Sequence, residues 1–210
     1  MSRPQSGRTR FSALHLITAF LLAQAALPGV APAQAHDGTH KLARQAGPGA
    51  TGGDFVLRSA DGPVRLADYR GKVAVLYFGY TFCPDACPTT LAALGETLKS
   101  LAAGELAEVR PIFISLDPER DDVKRLKEYA AFFHPSIVGA TGTPERVRRV
   151  ANQYGVLYAK QKVDSAGGYV LDHSSFLYVV DRRGRLAASL PHGAAPKEIA
   201  LALRQALSSR

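Results

Sequence analysis

Hydrophobic and polar positions along this chain switch between two periods, and the switches lay out its elements. Val73-Ala74-Val75-Leu76-Tyr77-Phe78-Gly79-Tyr80 is an unbroken run of the kind needed by a strand covered on both faces. Pro111-Ile112-Phe113-Ile114-Ser115-Leu116 is a second such run. Between them Leu91, Leu94, Leu98 and Leu101 recur at helical spacing and predict one apolar helix face. Leu126, Tyr129, Ala130 and Phe133 predict another helix, ended near His134-Pro135, and Val147, Val150, Ala151 and Tyr154 a third. Ile137 to Ala140 and Val156 to Val163 read as further strands, with Asp164-Ser165-Ala166-Gly167-Gly168 as a hairpin tip. Phe176 to Val180 and Leu186 to Leu190 are predicted to pair through the turn Asp181-Arg182-Arg183-Gly184. Ile199, Leu203 and Leu207 close the chain with a helix. Ahead of all these, Asp54 to Arg58, the turn Ser59-Ala60-Asp61-Gly62 and Pro63 to Leu66 predict a small hairpin.

Strand, helix, strand, helix, then an antiparallel hairpin and a last helix is the order of an α/β fold with a mixed central sheet flanked by helices. The thioredoxin fold has this order, here with an N-terminal hairpin extension. There is no internal repeat, so residues 54–210 are expected to be one domain. Residues 36–53 are rich in Gly, Ala and polar side chains without a period and read as a flexible leader. Residues 1–35 carry Arg3, Arg8 and Arg10, then a largely apolar Phe11 to Leu27, then Ala33-Gln34-Ala35, the pattern of a cleaved signal peptide. The alternative is an uncleaved membrane anchor, for which 17 residues is close to the lower limit. No cysteine lies near this segment, which excludes a lipoprotein. Both alternatives put the rest of the chain outside the cytoplasm, where thiols can be oxidised.

Charge adds little. The whole chain carries +8, but three of its 26 Lys and Arg and none of its 18 Asp and Glu lie in the first 35 residues, so the remainder is only +5. Its basic clusters, Arg146/Arg148/Arg149 and Arg182/Arg183/Arg185, are not interleaved with aromatics, and no nucleic acid partner is expected.

The chemistry concentrates where the first buried strand meets the first helix. Cys83 and Cys87, the only cysteines, stand in Thr81-Phe82-Cys83-Pro84-Asp85-Ala86-Cys87-Pro88. Proline fits the first helical position, so the helix starts at either Pro84 or Pro88. In both cases the unpaired N–H groups and positive end of the helix favour thiolate over thiol. Such a pair serves as a redox-active dithiol or as two ligands of a soft metal. Three residues separate the cysteines, whereas redox thioredoxins have two. The loop expected to face them, Val170-Leu171-Asp172-His173-Ser174-Ser175-Phe176, offers His173 where those enzymes have a cis-proline. Two thiolates with one imidazole suit Cu(I), admit Cu(II), and leave zinc open. Asp172, Asp85 and Asp117 are candidate carboxylates around such a site, Asp172 as the residue that would fix the His173 tautomer. His134 and His192 read as helix-end and loop residues.

Gly79-Tyr80-Thr81-Phe82-Cys83-Pro84-Asp85-Ala86-Cys87-Pro88-Thr89-Thr90-Leu91 closely resembles the copper-site motif of the Sco/SenC family. So do Ile114-Ser115-Leu116-Asp117-Pro118-Glu119-Arg120-Asp121, Phe133-His134-Pro135, Gly139-Ala140-Thr141-Gly142 and Asp172-His173-Ser174-Ser175-Phe176, in the right order from about Phe55 to Leu207. The resemblance implies a thioredoxin-like metallochaperone that binds Cu(I) or Cu(II) through Cys83, Cys87 and His173. It implies delivery of copper to, or preparation of the thiols of, the binuclear copper centre of cytochrome c oxidase. The partners implied are the oxidase subunit bearing that centre and a thioredoxin-like reductant or another copper chaperone. Many family members carry a membrane tether, from which the Ala33-Gln34-Ala35 signature departs. A thiol–disulfide oxidoreductase or a copper or redox sensor would use the same residues.

Overall fold

A computed structural model describes residues 50–162 and 168–209. The predicted signal segment, almost all of the predicted leader and residues 164–167 of the predicted hairpin tip lie outside the described residues.

The central sheet has five strands. β3 (Val73–Gly79), buried at every position, runs parallel to β4 (Val109–Ser115), which in turn pairs in parallel with β5 (Val138–Ala140). On the other side of β3 lie β8 (Phe176–Val180) and then β9 (Leu186–Pro191), both antiparallel, giving the order β5-β4-β3-β8-β9. Pro111, which has no N–H to donate, lies just before the stretch of β4 that pairs with β5. Two hairpins form two-stranded sheets of their own: β1 (Val56–Ser59) with β2 (Gly62–Arg65), bridged at Arg58 to Thr141 just past β5, and β6 (Tyr158–Lys162) with β7 (Tyr169–His173).

The helices are α1 (Ala86–Ser100), α2 (Ala103–Ala107), α3 (Val123–Phe133), α4 (Pro144–Gln153) and α5 (Pro196–Ser208). Leu91, Leu94 and Leu98 are buried as their spacing predicts, and α1 packs against α3 and α5. α3 starts where the Asp122 carboxylate accepts from the Arg125 N–H, 2.8 Å away. It stops at His134, whose extended backbone is what a following proline imposes. α4 combines a Thr143 cap with Pro144 in its first turn. Two side faces approach closely at glycines: a Cβ on Gly139 of β5 would stand 2.5 Å from the Leu126 carbonyl oxygen of α3.

The mixed α/β sheet with its flanking helices and N-terminal hairpin is the architecture the pattern predicts. Three local differences stand out. The first turn spans only Ala60 and Asp61, because Ser59 Oγ both donates to the Gly62 carbonyl and accepts from the Asp61 N–H. The one-turn α2 has no buried residue, hence no periodic signal, and is held by the Glu105 carboxylate accepting from the Ala102 N–H at 2.9 Å. Residues 170–173, read as loop, are strand: β7 pairs with β6 in the register Tyr158↔His173.

Candidate metal centre

The helix starts at neither proline. α1 begins at Ala86 with Asp85 as its cap residue, so Cys83 lies in the preceding loop and Cys87 in the first turn. This staggers the two sulfurs: Cys83 is half-buried and Cys87 fully buried, both as free thiols. The Cys83 sulfur accepts from the Cys87 N–H at 3.4 Å, the use of a helix N-terminus that the sequence predicts. Gly79 makes room for the buried sulfur at the end of β3, since a Cβ there would lie 2.6 Å from Cys87 Sγ.

His173 arrives from β7, the last residue of the outlying hairpin. Its Nε2 stands 3.6 Å from Cys87 Sγ, and its Nδ1 lies 3.1 Å from the Ser174 carbonyl oxygen. A carbonyl can only accept, so Nδ1 carries the proton and Nε2 presents its lone pair to the sulfurs. The Cys83, Cys87 and His173 donor atoms all lie within 4.8 Å of one another. Cys83 and His173 open on a cleft of ≈ 330 Å³ lined also by Tyr80, Pro84, Asp85 and Leu171, while Cys87 is fully buried.

The two thiols divide their roles. The hydrogen bond from Cys87, offset by burial, and then the Asp85 and Cys87 N–H groups bring the Cys83 thiol down to about 3. The same hydrogen bond, with burial and the charge on Cys83, drives Cys87 up. Cys83 is therefore the thiolate and Cys87 the thiol that donates to it. Two sulfurs, one already anionic, and one imidazole nitrogen match the requirements of a soft ion in low coordination.

Of the flanking carboxylates, Asp172 does not fix the imidazole. It is exposed, pairs across to Ala159, and the Ser174 carbonyl does that work instead. Asp85 takes a weak bond from Thr89 Oγ1 at 3.3 Å. Asp117 is buried and holds Arg120 and the Tyr169 hydroxyl. His134 caps α3, and His192, in the link after β9, meets Thr90 Oγ1 at 2.9 Å.

Sequence reasoning missed Asp121. Fully buried, it accepts from the Thr81 N–H at 3.0 Å, Thr81 Oγ1 at 2.5 Å and Ser115 Oγ at 2.6 Å, tying the cysteine loop to the end of β4. The available signal was the acidic residue that recurs four positions after Asp117, just past a buried strand. Tyr77 was missed as well; from the strand beneath, its hydroxyl donates to the Ala86 carbonyl at 3.4 Å, in the first turn that carries Cys87.

A thioredoxin-like sheet that presents a Cys-x₃-Cys pair at the start of a helix, facing a histidine on a separate hairpin, defines a metal-ligating thiol protein. The chain matches the SCO1/SenC family over residues 43–208 and belongs to that family. It is 38% identical over 150 residues to the SCO2-like protein of Rickettsia felis, covering 70% of this chain and 73% of that one. Among solved structures it is similar to Bradyrhizobium japonicum ScoI with copper bound, at 36% identity and a TM-score of 0.68, covering 75% of this chain and 100% of that one. It is also similar to BsSco, described with a disulfide switch and as a member of the Sco family of cytochrome c oxidase assembly proteins. That likeness is 26% identity and a TM-score of 0.61 over 78% of this chain and 97% of BsSco.

Among the described residues, no helix is long and apolar enough to cross a membrane.

Proposed function

We propose that this chain is a copper metallochaperone that takes its cargo at Cys83, Cys87 and His173 and serves assembly of the binuclear copper centre of cytochrome c oxidase. The observation that carries the reading is the convergence of two sulfurs and one imidazole nitrogen within 4.8 Å. The likeness to a copper-bound ScoI over all of that structure supports it. Residues 54–210 form the working domain, and residues 1–35 export it to the periplasm or an equivalent compartment, as a cleaved signal or as an anchor. Its partners are the oxidase subunit bearing the copper centre and a thioredoxin-like reductant or a second copper chaperone.

A thiol–disulfide role is the second reading, favoured by the thiolate–thiol asymmetry of Cys83 and Cys87. An attacking thiolate beside a protonated partner is the arrangement thiol–disulfide exchange requires. Titration of the reduced protein with Cu(I) against a chromophoric competitor separates the two. One tightly held copper per chain, lost in Cys83→Ser and in Cys87→Ser, is the outcome of the chaperone reading. Negligible copper uptake with fast disulfide exchange is that of the oxidoreductase.

A further inference from the structure

We infer that Asp117, Arg120 and Tyr169 form a latch that holds His173 in the metal centre, which makes them positioning residues of that site. The inference deepens the copper-binding reading and rests on it. Its starting point is that, among the described residues, β6 and β7 pair only with each other, and with no strand of the central sheet. A two-stranded hairpin is marginally stable alone, so the position of His173 depends on what fastens β7 to the body.

Tyr169, Leu171 and His173 alternate along β7 and so share one face. Each of the first two is fastened. The Tyr169 hydroxyl donates to Asp117 Oδ1 at 2.7 Å, and Arg120 Nη1 donates to the Tyr169 carbonyl at 3.0 Å. Arg120 Nε closes the triangle on Asp117 Oδ2 at 2.5 Å. The guanidinium lies over the Tyr169 ring, with Cζ 3.7 Å from the ring centroid. One turn of the strand on, the Leu171 N–H donates to the Tyr80 hydroxyl at 3.2 Å. Asp117 is 1% exposed and Arg120 17%, so water screens this pair little.

The same guanidinium also faces Phe82 at 4.8 Å and Tyr80 at 5.7 Å, the residues that lead into Cys83. One side chain thus spans the segment that delivers a thiolate and the strand that delivers the imidazole. Lysine cannot replace it, having neither the planar fork nor the stacking surface. Opening the latch withdraws the nitrogen, while the cysteine segment stays tied through Thr81 to Asp121 and the sulfurs keep their place. The consequence is selective, because Cu(I) accepts two sulfurs whereas Cu(II) needs the nitrogen.

The test uses the full chain with Tyr169→Phe, which removes one oxygen, and Arg120→Lys, each alone and combined with His173→Ala. Cu(II) affinity is expected to fall about tenfold or more in each single variant, with the sulfur-to-Cu(II) absorption bands shifted. Cu(I) affinity should stay within about threefold, and neither substitution should add to the loss already caused by His173→Ala. Unchanged Cu(II) bands and affinity in both variants overturn the latch. Equal loss of both oxidation states, or an equal further loss in the His173→Ala background, also overturns it, since either marks general damage. A copper-free readout separates this from the parent reading: Leu171 and His173 amides should exchange about tenfold faster in the variants while β3 amides do not change. If the unsubstituted chain takes up no copper, the parent reading fails and unchanged β7 exchange still overturns the latch.

Discussion

A methyl group at position 79 has nowhere to go: a Cβ there lies 2.6 Å from the Cys87 sulfur and 3.0 Å from the Phe113 ring. Gly79→Ala is expected to destabilise the fold by about 1–3 kcal/mol and to weaken Cu(I) binding together with it. Thermal unfolding and Cu(I) competition measure the two effects. The Cys83 thiolate carries a second prediction. With its thiol down at about 3, Cys83 is ionised throughout the ordinary working range, so its alkylation rate should be nearly flat between about pH 5 and 8. An unperturbed thiol would instead gain about tenfold per pH unit there. Cys87→Ala removes the side-chain donor that is the largest cause of the depression, so alkylation of Cys83 should become slower at acid pH and rise toward alkaline pH. A flat profile in that variant would show that the Cys87 hydrogen bond is not the cause. At this scale the sequence was legible where chemistry is local. Cys83 and Cys87 announce themselves, and His173 stands in a loop-like stretch lacking the expected proline. Asp121 and Tyr169 were not legible, because their meaning lies in partners 40 and 52 residues away.

Among the elements, α3 is placed by its first turn. The Asp122 carboxylate satisfies the Arg125 N–H, and Asp122→Ala should cost about 1 kcal/mol. The melting temperature should fall by about 2–4 °C, while Cu(I) affinity stays as it was, because α3 contributes no donor. Loss of copper binding in that variant would mean that the helix does more than support the sheet. The long periodic segments β3, β4, α1, α3, α4 and α5 were readable because burial on one or both faces leaves a repeating imprint. α2 left none, being one turn with no buried side chain. β7 was hidden for a different reason. Its exposed Asp172 and partly exposed His173 mimic a loop, and only pairing with β6 makes it a strand.

Taken as a whole, the molecule assembles its site from positions 86 residues apart, Cys87 and His173. The unfolded chain has the two cysteines close but no imidazole beside them, so copper should bind the folded state preferentially. At a free concentration one hundred times the dissociation constant, the gain is about 2.7 kcal/mol, reduced by whatever the unfolded thiols retain. The melting temperature should rise with Cu(I) in the unsubstituted chain and stay put in the Cys83→Ser/Cys87→Ser protein. A rise in both would place the copper elsewhere. The outlying hairpin has one more consequence. Two donors belong to a rigid strand–helix junction and the third to an arm outside the sheet, so the bonds to a bound ion have unequal lifetimes. An incoming thiolate or imidazole from another protein can take the place vacated by the arm while both sulfurs keep their grip. Exchange in such steps never sets the ion loose in solution, and its rate follows the swing of the arm, not the unfolding of the core.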